Sequence, residues 1–247
     1  MTDICSYMPS LVPQMPLHLG IVVARYKEPL EPWSPFAGNS YVYSKGGIPQ
    51  DNDTVSHASF RSYIELPNRG REGQTHLCHI VRNYDALDDI MIFSQADPFD
   101  LTAPVANTTE QMVEIALRVP PHDVTPFNPD LWHDVADWET INWTDPKEAI
   151  WITASQIASL QLAPYTPGEF WSLVLGSCHP PAIRAMHGGT FAVSRETIRK
   201  QPRQVYERAL AEFNKANATN PEIGFFWERM WAPVYNKKYC LQSVENP

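Results

Sequence analysis

The chain has 247 residues and a formal net charge of -9; 43% of its residues are hydrophobic and 19% are charged. This composition supplies enough apolar side chains for a large core, and it lacks the high charge and low hydrophobicity of a disordered chain. The acidic balance and the scattered Lys and Arg residues argue against a nucleic-acid partner, because no basic stripe is available for a phosphate backbone.

Nothing in the sequence indicates a membrane segment or a secretory leader. No apolar run approaches the roughly 20 residues that a membrane-spanning helix needs. The first 16 residues contain three prolines and lack the basic start and continuous apolar stretch of a signal peptide. We therefore expect an N-terminal arm at residues 1–18, a single domain at residues 19–247, no membrane insertion and a cytoplasmic location.

The cysteines are widely separated and show neither metal-ligand spacing nor a disulfide framework. They are predicted to be free thiols, for the most part small buried side chains. They are Cys5, Cys78, Cys178 and Cys240.

Buried strands and helices are predicted to alternate along the chain, which indicates the α/β class. Leu19–Arg25 is a continuous apolar run closed by a charge, the pattern of a strand buried on both faces of a mostly parallel sheet. Val119–Pro146 is rich in proline and tryptophan, and is expected to be a long loop that either covers a pocket as a lid or is pinned to the surface. Further strands are predicted at Ser40–Ser44, Ile90–Ser94 and Thr190–Ser194, and helices at Gln74–Asn83, Thr108–Leu117, Glu148–Ala163, Thr166–Leu175 and Arg195–Asn217. Near the end, Ile223–Tyr235 carries several aromatic residues around Glu228 and Arg229.

Polar residues that follow the predicted strands are the candidates for a functional site, because ligands of open α/β sheets gather at the carboxyl ends of the strands. Arg25 and Tyr26 end the first strand, and Gln95–Phe99 follows the strand at Ile90–Ser94. The turn Leu66–Gly73 leads into a helix, where free backbone N–H groups and fixed side chains suit an anion or a polarised carbonyl. The candidate side chains there are Arg69, Arg71, Glu72 and His76.

Five segments of the chain resemble, in order, a fungal domain-of-unknown-function family numbered 3431. The resemblance runs from about Leu19 to Tyr235, and its most specific segment is Gly188–Ile198 (GGTFAVSRETI). That family is distantly similar to nucleotide-sugar glycosyltransferases of the A type, so the resemblance implies one Rossmann-like domain with a central mixed sheet flanked by helices. The other four segments are Val22–Tyr26 (VVARY), Leu66–Gly73 (LPNRGREG), Ile92–Pro98 (IFSQADP) and Glu228–Trp231 (ERMW).

A sugar-transfer site is one implication of the resemblance. A-type glycosyltransferases usually hold a divalent cation through an Asp-x-Asp motif, because the leaving diphosphate is negatively charged. The corresponding turn here is Gln95-Ala96-Asp97, which lacks the first carboxylate, so we expect no resident metal and no cofactor. Glu228 matches the place of the carboxylate base; an ion pair with Arg229 or another basic side chain is the alternative.

The resemblance also admits ring-closing enzymes of natural-product pathways, including those of the Diels-Alder type. Such catalysis needs an apolar pocket that restricts the substrate to a reactive conformation. It also needs one or two hydrogen-bond donors that withdraw charge from the conjugated system. A pocket that has lost a metal ligand but kept aromatic side chains and hydrogen-bond donors fits this chemistry. We therefore predict a cofactor-independent cyclase acting on a hydrophobic terpenoid or polyene, with a metal-dependent nucleotide-sugar transferase and a non-catalytic binding protein as alternatives.

In the cyclase hypothesis, Arg71 and His76 donate hydrogen bonds to the electron-withdrawing group of the substrate. The alternative for His76 is a solvated helix face, and the alternative for each aromatic wall is plain core packing. The predicted walls are Tyr26, Phe99, Trp227 and Trp231, and the other predicted substrate contacts are Arg25, Arg69, Glu72, Asp97 and His187.

Overall fold

A computed structural model describes residues 17–46, 56–136, 141–145 and 152–242. Within these residues the structure has nine strands in two sheets and eight α-helices. The strands are β1 (Leu19–Arg25), β2 (Ser40–Ser44), β3 (Ser62–Glu65), β4 (Ile90–Gln95), β5 (Val124–Pro126), β6 (Trp132–Ala136), β7 (Ala182–Met186), β8 (Phe191–Ser194) and β9 (Cys240–Leu241). The helices are α1 (Arg71–Asn83), α2 (Phe99–Thr102), α3 (Thr109–Ala116), α4 (Ala154–Ala158), α5 (Pro167–Leu175), α6 (Arg195–Arg199), α7 (Arg203–Ala216) and α8 (Glu222–Tyr235).

The larger sheet is mixed and has the strand order β3-β2-β1-β4-β8-β5. Strands β1 to β4 are parallel, whereas β8 runs antiparallel to both β4 and β5. In chain order, β2 and β3 are added on one side of β1, and β4 is then added on the other side of β1. Such a reversal opens a crevice at the carboxyl ends of β1 and β4, which is where the candidate site is found.

Both faces of this sheet are covered. Successive side chains of a strand point to opposite faces, so Val22 packs into one hydrophobic cluster while Ile21 and Val23 pack into the other. Helices α1, α5, α7 and α8 contribute to the first cluster, and α3 contributes to the second together with the 3-10 helix Glu31–Asn39. The predicted α/β class with a central mixed sheet flanked by helices is confirmed.

Several predicted elements have the bounds expected from the local pattern. The strands at Leu19–Arg25 and Ser40–Ser44 are confirmed residue for residue. Helix α5 begins at Pro167, and Thr166 caps it by accepting a hydrogen bond from the Glu169 N–H. Proline suits this first position because the N–H it lacks would have no helical partner there.

Three predicted elements need correction. The helix predicted at Arg195–Asn217 is two helices, α6 and α7, because Pro202 cannot continue α6 and instead precedes the first turn of α7. The prediction of an irregular loop at Val119–Pro146 is wrong for its described part, which contains β5 and β6; residues 137–140 and 146 lie outside the described residues. Of the helix predicted at Glu148–Ala163, only α4 is helical within residues 152–163, and residues 148–151 are outside the description.

The cysteines and the membrane prediction can be compared with the described part of the chain. Cys78, Cys178 and Cys240 are free thiols, as predicted, while Cys5 lies outside the described residues. Cys178 is exposed, so the expectation of a buried side chain is wrong for that residue. Among the described helices, none combines the length and the apolar character required to cross a bilayer.

Candidate functional site

A cavity of about 440 Å³ lies at the carboxyl ends of three adjacent parallel strands. Arg25 ends β1, Gln95 ends β4 and Lys45 directly follows β2. Because these strands run in the same direction side by side, their ends bring the three residues to one edge of the sheet. The lining is completed by Ala24, Tyr26, Glu28, Asn68, Arg71, Glu72 and Thr219.

Lys45 contacts the turn that precedes α1. Its side-chain ammonium donates hydrogen bonds to the backbone carbonyls of Arg69 and Arg71. These carbonyls flank Gly70, whose φ is +60°, and Arg71 itself has a φ of 49°. A left-handed backbone is unfavourable for a residue with a Cβ, so the two hydrogen bonds stabilise a conformation that the turn alone would resist.

Lys45 is only 9% exposed. Burial disfavours the charged form of an amine, and it lowers the pKa of Lys45 to about 7 although the nearby Glu72 carboxylate acts in the opposite direction. Lys45 therefore changes its charge close to neutral pH.

Arg71 and Glu72 open α1 and form a charged pair on the cavity wall. The Arg71 Nε lies 3.6 Å from the Glu72 carboxylate, and the Arg71 guanidinium stacks 5.1 Å from the centre of the Phe225 ring. The Glu72 charge raises the pKa of Arg71. Burial raises the pKa of Glu72, but the Arg71 charge and a hydrogen bond from its own backbone N–H outweigh this effect and lower it. Both side chains are therefore charged at neutral pH.

Arg25 is held against the cavity by protein acceptors. Its Nε donates to the Glu28 backbone carbonyl at 2.8 Å, and its Nη1 lies 3.4 Å from the Ser44 and Tyr63 hydroxyls. The Glu28 carboxylate in turn accepts a hydrogen bond from the Tyr26 N–H at 2.7 Å. This turn leaves the Tyr26 side chain exposed on the cavity lining.

His187 and Glu228, both predicted site residues, contact each other and are not among the residues that line the cavity. The Glu228 Oε1 accepts the Gly188 N–H at 2.5 Å and lies 3.1 Å from the His187 Nδ1. Burial lowers the pKa of His187, although the Glu228 charge opposes this effect. The predicted alternative to a catalytic base was an ion pair of Glu228 with Arg229 or another basic side chain; because burial lowers its pKa, His187 contacts Glu228 as a neutral ring.

Gly189 connects this pair to the cavity wall. A Cβ on Gly189 would come within 2.4 Å of the Glu72 Cγ, so only glycine permits this approach of the chain to α1. The hydrogen bond from the Gly188 N–H to the Glu228 carboxylate fixes the same segment one residue earlier. Glu228 therefore positions the segment that packs against Glu72, and it is not itself among the residues that line the cavity.

His76 lies in the core and not on the cavity wall. It is fully buried among aromatic rings, with centroid distances of 5.0 Å to Phe93, 6.1 Å to Phe191 and 6.0 Å to Trp231. Burial lowers the pKa of His76 to about 4, so the ring is neutral at neutral pH. Neither ring nitrogen has a hydrogen-bond partner among the described residues. The alternative of a solvated helix face is wrong, because α1 turns His76 toward the sheet.

Two of the predicted aromatic walls share this buried environment. Trp227 and Trp231 are 0% and 1% exposed, and their ring centroids are 5.0 Å apart. Phe99 is half-buried and packs against the cluster on the other face of the sheet. These three residues occupy positions that the core-packing alternative predicted, whereas Tyr26 lines the cavity.

The turn after β4 is bonded mainly to itself. The Gln95 Nε2 donates to the Asp97 carbonyl at 2.7 Å and to the Asp100 carboxylate at 3.0 Å, while the Asp97 side chain is exposed. Asp97 is not part of the cavity lining. Within the described part of the chain, no three His, Cys, Asp or Glu residues are grouped so that they could hold a metal ion.

Of the predicted site residues, the structure brings Arg25, Tyr26, Arg71 and Glu72 together, and Arg69 contributes a backbone carbonyl to Lys45. Lys45 itself was missed. The signal was present, because Lys45 closes the strand Ser40–Ser44 just as Arg25 closes the strand before it. No local pattern pointed to Thr219, which reaches the cavity because the Gly70 N–H donates to the neighbouring Ala218 carbonyl at 2.8 Å.

Comparison with known proteins gives a partial match to one family. Residues 137–246 match the model of a family described as a protein of unknown function (DUF3431). No curated protein and no solved structure matches the chain. The family match supports the resemblance found in the sequence over this part of the chain. Among the residues that line the cavity, only Thr219 falls within the matched range.

Proposed function

We propose that the cavity binds the anionic group of a small-molecule substrate, and that the protein is an enzyme that transfers a group from a diphosphate-activated donor such as a nucleotide sugar. The observation that carries this proposal is the convergence of Arg25, Lys45 and Arg71 on one cavity at the carboxyl edge of the sheet. Positive charge at such an edge stabilises a phosphate group in the ground state and as it departs.

The start of α1 adds to this positive character. The helix has 13 residues, and its N-cap residue Gly70 has no side chain to cap it. The N–H groups of a first helical turn and the helix dipole favour an anion at this position. Together with the three cations, the helix start supplies charge stabilisation that does not depend on a cation held at Asp97.

A base that takes a proton from the acceptor is needed for transfer with inversion. Glu72 is the carboxylate of α1 that lines the cavity, and its pairing with Arg71 keeps it ionised. Glu228 instead holds the Gly188–Gly189 segment against Glu72. We therefore assign the proton-accepting role to Glu72 and a positioning role to Glu228.

The cofactor-independent cyclase is the second candidate. Arg71, its predicted donor, and Tyr26, one of its predicted walls, both line the cavity. A hydrophobic terpenoid or polyene with a carbonyl or carboxylate would place that group against Arg71. This candidate ranks second because Trp227 and Trp231 lie in the core and do not line the cavity, where five of the ten lining residues are charged.

Titration calorimetry with UDP-sugars and GDP-sugars, with and without manganese, tests the proposal. We expect binding that Arg71→Gln weakens by about tenfold or more, because a charge-assisted hydrogen bond contributes roughly 1.5–3 kcal/mol. The matched control is Arg118→Gln, which removes the same charge from an exposed position outside the cavity and should leave the affinity unchanged.

Two other outcomes are informative. Failure of every diphosphate donor to bind, together with Arg71-dependent binding of a conjugated carboxylate or aldehyde, would favour the cyclase. Ligand binding that is equally tight in Arg71→Gln and in the natural chain would contradict both candidates.

A further inference from the structure

We infer that Lys45 takes up a proton when the cavity binds its anion, so that anion affinity falls as the pH rises through neutrality. The inference rests on the anion site of the proposed function, and it is independent of the group-transfer chemistry.

The hydrogen bonds of Lys45 are the first argument. Two N–H groups of the side chain are directed at the carbonyls of Arg69 and Arg71. A neutral amine has two N–H groups and can satisfy both carbonyls, whereas an ammonium has three. The third N–H exists only in the charged form, and since Lys45 lines the cavity, we assign this N–H as the donor to a ligand there. Deprotonation therefore preserves the turn but removes a donor and a charge from the ligand.

The burial of Lys45 is the second argument. The side chain lies in the cavity wall, where desolvation lowers its pKa to about 7. An anion in the cavity acts on Lys45 in the same direction as Glu72, because opposite charge favours the ammonium form. The titratable and charged groups around it are Arg25 and Glu28 on the side of β1, and Arg69, Arg71, Glu72, His76 and Cys78 on the side of α1.

The neighbouring cations do not share this behaviour. Arg25 and Arg71 keep their charge throughout the neutral range, since the guanidinium does not deprotonate in proteins. They supply a constant attraction for the anion. Lys45 adds an attraction that depends on pH, so its contribution can be measured separately.

Calorimetry with sulfate and with UDP-glucose is the test, since neither anion changes its charge near neutral pH. Titrations near pH 6, 7 and 8 in buffers of different ionisation enthalpy report the protons taken up on binding. With a pKa of about 7 for Lys45, we expect uptake of roughly half a proton near pH 7 and an affinity about tenfold lower near pH 8 than near pH 6.

Three variants separate charge from structure. Lys45→Arg keeps a permanent cation, so binding should persist with a flat pH profile and no proton uptake. Lys45→Met should weaken binding and also flatten the profile. The matched control is Lys200→Met at an exposed position outside the cavity, which should reproduce the natural chain in both measurements.

The possible failures are distinguishable. If neither anion binds at any pH, the anion site is overturned and this inference with it. If sulfate binds with proton uptake but no nucleotide sugar does, the inference stands and the transfer proposal fails. Binding without proton uptake, or binding that Lys45→Met leaves unchanged, overturns the inference alone.

Discussion

Arg71 and His76 belong to the same helix and are five residues apart, yet they lie in opposite environments. Arg71 lines a charged cavity, whereas His76 is enclosed by aromatic rings. At about 100° per residue, five residues turn the helix through roughly 140° beyond one full revolution, which directs the two side chains to different faces. The comparison shows that position near a helix start does not make a polar residue part of a site.

Titratable side chains also differ in their charge between the cavity and the aromatic layer, by which we mean the rings of Phe93, Phe191 and Trp231 around His76. At the cavity, Arg71 and Glu72 keep their charges because they pair with each other. Among the aromatic rings around His76, burial lowers the pKa of His76 to about 4, so the ring stays neutral. Substitutions in the cavity should therefore impair ligand binding more than stability, and substitutions in the aromatic layer should do the reverse.

The largest effect is expected for Trp231→Ala. The Trp231 ring packs against Phe191 at 5.3 Å and Tyr235 at 5.7 Å between ring centroids. Removing a buried tryptophan leaves a cavity and costs about 3–5 kcal/mol of the free energy of unfolding. Urea unfolding measures this loss, with the exposed Tyr26→Ala as the control that should cost far less. Trp231→Ala with full stability but impaired ligand binding would instead place Trp231 in the site.

The second effect concerns the acid sensitivity of the fold. The pKa of His76 is about 4 in the folded chain and lies near 6.5 when the chain is unfolded. Between these values the unfolded state binds more protons, so acidification through this window destabilises the fold by up to about 3 kcal/mol. His79, whose pKa burial lowers to about 3, acts in the same direction.

His76→Leu should remove the contribution of His76 and make the free energy of unfolding less dependent on pH. Urea unfolding near pH 7 and near pH 5 measures the difference between the two proteins. Ligand affinity and any activity should be retained if His76 is a core residue. An unchanged pH dependence, or a selective loss of activity, would contradict this assignment and favour the predicted donor role.

The smallest effect is expected for Asp97→Ala. Its carboxylate is exposed and outside the cavity lining, so both the free energy of unfolding and the anion affinity should change by no more than about 0.5 kcal/mol. Calorimetry with and without manganese checks the affinity. A manganese-dependent affinity that disappears in Asp97→Ala would show that the turn after β4 holds a metal.

Local patterns predicted β1, β2, β4 and β8 but missed the other five strands, and they predicted the helices unevenly. The apolar run at Leu19–Arg25 predicted its strand with the observed bounds, because a strand buried on both faces leaves no polar interruption. The helix predicted at Arg195–Asn217 ignored Pro202, and the structure divides it there. Strand β5 was missed since it has only three residues and includes a proline.

The sequence by itself determined the α/β class and the residues at the ends of β1 and β4, because apolar patterning along the chain dictates which segments are buried. Only the tertiary structure decided which polar side chains share the cavity. Lys45 reaches the α1 turn, and Gly188 reaches Glu228, through contacts between residues distant in the chain. The burial of a side chain depends on such contacts and on the rotation of its helix, and neither is encoded in the residues next to it.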